Sequence, residues 1–331
     1  MQIAVTGATG FIGRNFVELA ASRGHRISAI HRPGTPAKRR LNRALQSSSV
    51  DLRASDVRDS KSLAAAMTGA ECAIHFAAAF RESGVPNDYF LTINVTGTRN
   101  AIEAAAEQGV RRFVFCSTAG IYGSRLPGIV DESAKASPEN IYERSKVEAE
   151  EVVRTLSASR GIEYAILRPA VVYGPHDDRL IKMFRAAARG RFPQFGPGKG
   201  RRHMVFVADV ARAGLRACVL PEAAGQEMIV AGPRAVPLRE ILAILARALD
   251  RSSCGPRLPL WPMQALAAMT EDACGLLGIK PPIYRRRMDF YSNDAGFDCS
   301  HAFDVLGWKP AVDLDEGFYR TIASYRQEGL M

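Results

Sequence analysis

Short apolar runs punctuate the first half of the chain, separated by longer stretches in which apolar positions recur with helical spacing. Ile3-Ala4-Val5, Arg26 to Ile30, Val50 to Ala54, Cys72 to Phe76 and Arg112 to Cys116 read as successive strands. The intervening stretches predict helices after Gly13, near 60 to 68, from 88 to 107 and from 138 to 158, the last with Ser137 as cap and Pro138 in the first turn. Strand and helix therefore alternate, which is the pattern of an α/β protein with a parallel sheet. From Gly174 onward the plain alternation is lost. A helix is expected around Leu180 to Arg189, and a strand through Met204 to Val207 that continues into Asp209-Val210-Ala211. The apolar stretch Leu258 to Leu266 reads as core of the smaller part, with the border of an apolar pocket or contact with a membrane surface as the alternatives.

The first strand runs into Thr6-Gly7-Ala8-Thr9-Gly10-Phe11-Ile12-Gly13 and then into an amphipathic helix. A strand, a glycine turn and a helix N-terminus in that order offer backbone N–H groups and a positive helix end to a pyrophosphate. Gly7 permits the sharp turn, Gly10 the approach of a cofactor, and Gly13 close packing of helix on sheet. The second strand ends in His31-Arg32-Pro33-Gly34 with no carboxylate to receive ribose hydroxyls. Arg32, helped by Lys38 or Arg39, suits a 2′-phosphate, so NADP(H) is favoured and NAD(H) is the alternative. Asp56 reads as a helix cap or as a contact to an adenine amine, and Ala77-Ala78-Ala79 leaves room for a ribose. His75, at the end of an apolar strand, reads as structural.

Ser117 and Thr118 fall at the carboxyl edge of the sheet, the ligand side of open α/β folds. In the next helix a spacing of four puts Tyr142 and Lys146 on one face. A phenol beside an ammonium can exchange a proton with a carbinol or ketone oxygen, because the positive charge stabilises the phenolate.

Composition narrows the setting. The six cysteines of the 331-residue chain are scattered without a C-x-x-C pair, which points away from structural zinc and disulfides, and no metal is expected. The chain opens directly on a strand, and no apolar run reaches bilayer length, so neither secretion nor a membrane span is expected and the cytoplasm is the expected location. The net charge of +10 comes from 44 basic and 34 acidic residues, but the basic runs are short and lack interleaved aromatics. That favours a phosphate-bearing small molecule over nucleic acid.

Taken together, Thr6 to Gly13, Asp56-Val57, His75-Phe76-Ala77-Ala78, Asn94 to Thr98, Ser117-Thr118, Tyr142 with Lys146, and Leu167 to Pro175 resemble the extended branch of the short-chain dehydrogenase/reductases, the NAD(P)-dependent epimerase/dehydratase group. The resemblance implies a Rossmann-type doubly wound sheet over 1–173 and a smaller substrate-binding part over 174–331, some segments of which return to the sheet. It also implies a homodimer made through the helices at 88–107 and 138–158. Cofactor contacts are expected from Gly7, Thr9, Gly10, Phe11, Ile12, Gly13, Arg32, Asp56, Val57, Ala77, Ala78, Tyr142, Lys146 and Pro169. Tyr142 is the expected general acid/base, Lys146 its electrostatic partner and ribose contact, and Thr118 the hydroxyl that holds the reacting oxygen. Ser117 is the alternative to Thr118, and Asn94 organises the site. Arg202 and Arg287 match the family's arginines for a substrate diphosphate.

Ala119-Gly120 stands where the sugar dehydratases of the family carry Asp-Glu, so dehydration is not expected. A nucleotide-linked sugar is the expected substrate, reduced or epimerised. Ala170-Val171-Val172, where nucleotide-sugar members often carry an asparagine, supports an alternative: reduction of an apolar ketone, as in members similar to dihydroflavonol reductases or 3β-hydroxysteroid dehydrogenases. A non-catalytic NADP(H) sensor ranks third, because such proteins commonly lose the tyrosine or the lysine.

Overall fold

The computed structural model describes residues 1–80, 84–276, 291 and 293–331. The chain begins β1 (Gln2–Thr6), α1 (Phe11–Ser22), β2 (Arg26–His31), α2 (Ala37–Arg40), β3 (Val50–Ala54), α3 (Ser60–Met67) and β4 (Cys72–His75). Next come α4 (Asn87–Leu91), a π-type turn at Thr92–Thr96, α5 (Gly97–Glu107), β5 (Arg112–Cys116), β6 (Arg125–Val130), α6 (Ile141–Arg160), β7 (Glu163–Pro169) and β8 (Val171–Tyr173). The remainder supplies α7 (Ile181–Ala188), β9 (Gln194–Phe195), β10 (Arg201–Phe206), α8 (Val207–Val219), β11 (Gln226–Val230), β12 (Ala235–Pro237) and α9 (Leu238–Ala248). It closes with β13 (Arg257–Leu258), α10 (Trp261–Leu276), β14 (Asp294–Phe297), α11 (Ser300–Leu306) and α12 (Leu314–Gln327).

Seven parallel strands form the central sheet in the order β3-β2-β1-β4-β5-β7-β11. The order reverses between β1 and β4, and a crevice at such a switch point is where open α/β sheets take ligands. Both faces of the sheet are covered. Phe16, Val17 and Ala20 of α1 pack with Val210, Ala213 and Ala217 of α8 on one side, and Leu63, Met67, Ala101, Ala105, Ala149 and Val153 of α3, α5 and α6 on the other. Strands buried on both faces read as continuous apolar runs, which is why they stand out in the sequence.

A further apolar cluster joins Tyr173, Phe184 and Phe206 to α9 and α12 through Leu242, Leu245, Phe318 and Tyr325. There α12 sits so close to β8 that a Cβ on Gly317 would lie 2.1 Å from the Tyr173 hydroxyl oxygen. β8, β10 and β12 form a separate three-stranded sheet.

Three expectations are corrected. Asp209-Val210-Ala211 is helical, since Val207, Val210, Ala211, Gly214 and Ala217 are buried at helical spacing and α8 lies against α1. α6 starts at Ile141 rather than 138, because Asn140, not Ser137, accepts from the Glu143 N–H and so caps it. The stretch from Leu258 to Leu266 is not core: Trp261 is 72 % exposed, and Leu258 and Leu266 are also exposed. Apolar composition permits burial, but a packing partner decides it.

Candidate active site

The turn from β1 into α1 is built on close backbone approach. Gly7 has φ +68, and a Cβ there would lie 2.6 Å from the Ala77 nitrogen. On Gly13 a Cβ would lie 2.2 Å from the Gly7 carbonyl oxygen, so neither position tolerates a side chain without movement of the main chain. The Gly10 N–H donates to Gly7 O at 2.9 Å. Gly10 caps α1 without a side-chain bond, and no acidic residue occupies the first turn. The N–H groups of that turn, which have no partner inside the helix, are left to a ligand or solvent.

A hydrogen-bonded chain links the ends of β1 and β4 to the start of α5. Thr98 Oγ1 donates to Asn94 O at 2.6 Å, so its own acceptor bond must come from His75 Nε2 at 3.3 Å; Nδ1 of His75 then accepts from Thr6 Oγ1 at 2.8 Å. Burial holds the imidazole neutral, with its pKa pulled down to about 3. His75 is thus structural, as expected. The Asn94 side chain accepts from Ala79 N at 2.7 Å and donates to Ser145 Oγ at 2.8 Å, while Ser145 Oγ donates to Tyr142 O at 2.7 Å. Asn94 lies in the π-type turn, whose irregular winding places its amide between the segment after β4 and α6.

On α6, Lys146 is 2 % exposed and its Nζ donates to Cys116 O at 2.6 Å, 4.2 Å from the centroid of the Phe115 ring. Burial lowers its pKa to about 8, against the raising influence of Cys116 and Glu150. The ammonium therefore sits beneath the strand end that carries Ser117 and Thr118. Thr118 Oγ1 accepts from Gly120 N at 3.1 Å, whereas Ser117 Oγ is buried and has no hydrogen-bond partner among the described residues. Tyr142, one turn before Lys146, is half-buried and takes the Phe80 ring edge-on at 4.7 Å. The orphaned Ser117 hydroxyl and the glycine cradle fit a bound dinucleotide, which would lie along the switch-point crevice.

Among the remaining expected cofactor residues, Thr9 and Pro169 are buried; Phe11, Ile12, Val57 and Ala77 are half-buried, and Ala78 is exposed. Val57 lies against the start of α5, where a Cβ on Gly97 would come 2.8 Å from Val57 Cγ2. Arg32 is exposed. Asp56 is engaged by Arg58 through two carboxylate–guanidinium bonds of 2.9 and 2.8 Å, which hold its pKa down; Asp59, rather than Asp56, caps α3. Arg202, on β10, is nearly buried, and its Nη1 donates to Arg201 O at 2.8 Å and to Asn293 O. Burial lowers its pKa to about 10. Arg287 lies outside the described residues.

The structure also brings in residues that sequence reasoning missed. Arg40 Nη1 reaches Thr9 O at 3.4 Å; the run Lys38-Arg39-Arg40 was visible, but not which member faces the glycine turn. Phe80 and Arg179 meet at the cleft, with no motif to announce either.

Similarity to known proteins extends over the whole chain. The NAD dependent epimerase/dehydratase family model matches residues 3–232. The 3beta-hydroxysteroid-dehydrogenase/decarboxylase isoform 2 of Arabidopsis thaliana is 28% identical over 97% of this chain, which spans 61% of that protein. The UDP-glucose 4-epimerase of Vibrio cholerae is 26% identical over 98% of this chain and 96% of its own. A crystal structure of UDP-glucuronic acid 4-epimerase from Bacillus cereus in complex with NAD superposes with a TM-score of 0.79 over 99% of both chains at 20% identity, a likeness of fold.

Proposed function

The chain belongs to the NAD dependent epimerase/dehydratase family, and from that premise we propose that it is an NAD(P)-dependent oxidoreductase or epimerase acting on a nucleotide-linked sugar. The observation that carries this reading is the buried Lys146 ammonium, bonded to Cys116 O beneath Ser117 and Thr118, with Tyr142 one helical turn away. The bound dinucleotide supplies the hydride acceptor or donor.

The chain's own residues manage the proton and the geometry. A phenol titrates at about 10, and each unit by which it is lowered requires roughly 1.4 kcal/mol of preferential stabilisation of the phenolate. Lys146, held as a cation on the same helical face, supplies that stabilisation. Tyr142 then takes the proton of a substrate carbinol or returns one to the alkoxide oxygen, and Thr118 holds that oxygen in place. Asn94 acts one step back: through Ser145 and the Tyr142 carbonyl it fixes the first turns of α6 against the segment after β4. Residues 174–331 supply most of the substrate-binding surface, with Arg202 and Arg287 as the arginines for a substrate diphosphate. The segment from α4 to α5 (87–107) and α6 (141–160) form a homodimer interface.

We further propose NADP(H) over NAD(H). In support, β2 ends without a carboxylate, Arg32 is exposed there, and Arg40 lies within reach of the glycine turn at Thr9. The ratio of KM values for NADPH and NADH should invert in Arg32→Asp/Arg40→Asp; an unchanged ratio refutes the assignment.

A second reading rests on one feature, the apolar wall Ala170-Val171-Val172, of which Val171 is 47 % exposed. Such a surface suits an apolar ketone, and a plant relative that matches 97% of the chain is named for hydroxysteroid chemistry. Incubation with UDP-glucose and with a 3-ketosteroid, each with NAD(P)(H), distinguishes the two by which is converted. Tyr142→Phe should lower kcat by about 10²–10⁴-fold while sparing dinucleotide affinity. Retained turnover in that variant removes the acid/base assignment.

A further inference from the structure

The crossover from β8 to α7 carries a guanidinium for which the scheme above has no task. Arg179 is clamped by Asp177, which is fully buried: Nε and Nη2 donate to the two carboxylate oxygens at 2.7 and 2.8 Å, and Nη2 also donates to Val172 O at 2.8 Å. The Arg179 N–H adds a bond of 3.0 Å to the same carboxylate. These contacts fix the plane of the guanidinium, since a bidentate pair leaves it little freedom. They use Nε and both Nη2 hydrogens. Nη1 has no hydrogen bond among the described residues, and the side chain is 33 % exposed.

Where that free end lies follows from two aromatic rings. Arg179 Cζ is 4.8 Å from the centroid of Phe11, the first residue of α1, and 5.5 Å from that of Phe80, whose ring meets Tyr142 edge-on at 4.7 Å. The cation is therefore held between the glycine turn and the ring that meets the phenol.

We propose that Arg179 is a dinucleotide-binding residue whose Nη1 donates to the diphosphate bridge of bound NAD(P), so that the segment after β8 closes a cradle whose other wall is the N-terminus of α1. This rests on the reading that the chain binds NAD(P). The carboxylate of Asp177 serves as an anchor on the far edge and leaves the two Nη1 hydrogens directed at the anion. The rings of Phe11 and Phe80 flank the cation and hold it in place. Binding of the cofactor is thereby linked to the part of the chain beyond Tyr173.

Calorimetric titration of the full chain with ADP-ribose, which keeps the diphosphate and lacks nicotinamide, tests this. Two variants are needed. Arg179→Met/Asp177→Asn removes the cation without leaving a buried carboxylate unpaired, and Arg179→Lys keeps a charge for Asp177 but loses the planar two-ended geometry. Both should bind ADP-ribose about tenfold or more weakly than the wild type, as expected for loss of a hydrogen bond to a charged group, with thermal melting of the free protein retained. The plot of log Kd against log NaCl concentration should also be shallower in the double variant, because one cation–phosphate contact is gone; a merely structural role would leave that slope unchanged. Loss of less than threefold in the folded variants, or an unchanged salt slope, overturns the assignment of Arg179. Failure of the wild type itself to bind ADP-ribose overturns instead the reading that the chain is a dinucleotide enzyme. If the double variant does not fold, Arg179→Lys decides alone by the same threshold.

Discussion

The buried ammonium of Lys146 makes folding stability depend on pH in a window that can be stated beforehand. Its pKa falls from the ordinary lysine value of 10.5 to about 8, chiefly because burial penalises the charge. The folded chain thus holds this proton less tightly than the unfolded chain, so between about 8 and 10.5 the unfolded state binds more protons and stability rises with pH. The gap between those values corresponds to about 3 kcal/mol, at ~1.4 kcal/mol per pH unit. Below about 8 both states are protonated and the cost of burying the charge is present in full. Urea unfolding of dinucleotide-free protein, followed by circular dichroism from pH 7 to 10.5, should be compared with Lys146→Met. Groups without contact to Lys146, such as the Cys254 thiol, which burial pushes up to about 11, titrate in both proteins and cancel in the difference. The wild-type stability minus that of the variant should be flat below pH 8 and then climb by about 3 kcal/mol. A difference that stays level through the window, or falls, would refute the inference that desolvation rather than pairing governs this amine.

Other outcomes follow from packing and charge. In Gly13→Ala the new methyl would meet the Gly7 carbonyl oxygen at 2.2 Å, backbone against backbone; the variant should lose about 1–3 kcal/mol in urea unfolding, and ADP-ribose affinity should drop as the turn is forced open. Glu150→Gln weakens the pairing of Arg168, whose Nε and Nη2 donate to that carboxylate at 3.0 and 2.6 Å. Removing one partner of a buried pair costs about 3–5 kcal/mol, and since Glu227 also pairs with Arg168, a loss at or below the lower end is expected from the same unfolding assay. Gly317→Ala drives a methyl into the Tyr173 ring at 2.1 Å from its oxygen and should lower the melting temperature by several degrees, with ADP-ribose affinity nearly unchanged.

The central sheet was legible in the sequence wherever one local property sufficed. Ile3-Ala4-Val5, Cys72-Ala73-Ile74 and Phe113-Val114-Phe115 are buried on both faces, so their apolar runs stand out without reference to any neighbour. The Gly13 requirement is equally local, because a side chain there would meet the Gly7 carbonyl of the same turn, whereas the space at Gly7 is closed by Ala77 beyond β4. Tyr142 and Lys146 share a face by helical periodicity, whatever the helix packs against. Boundaries and burial depended on more. Val207 to Val219 carries valines suited to a strand, yet α1 offers a surface that only a helix of small residues can approach, and Gly214 there lies against Ile74 and Phe16. The apolar segment around Trp261 meets no such surface among the described residues and is exposed there. Arg40 reaching Thr9 and Arg179 standing between Phe11 and Phe80 join residues far apart in the chain. A sequence specifies dihedral preference and periodicity one segment at a time; which distant side chains meet is set by the order of the strands and the crossings between them, and that exists only once the chain has closed on itself.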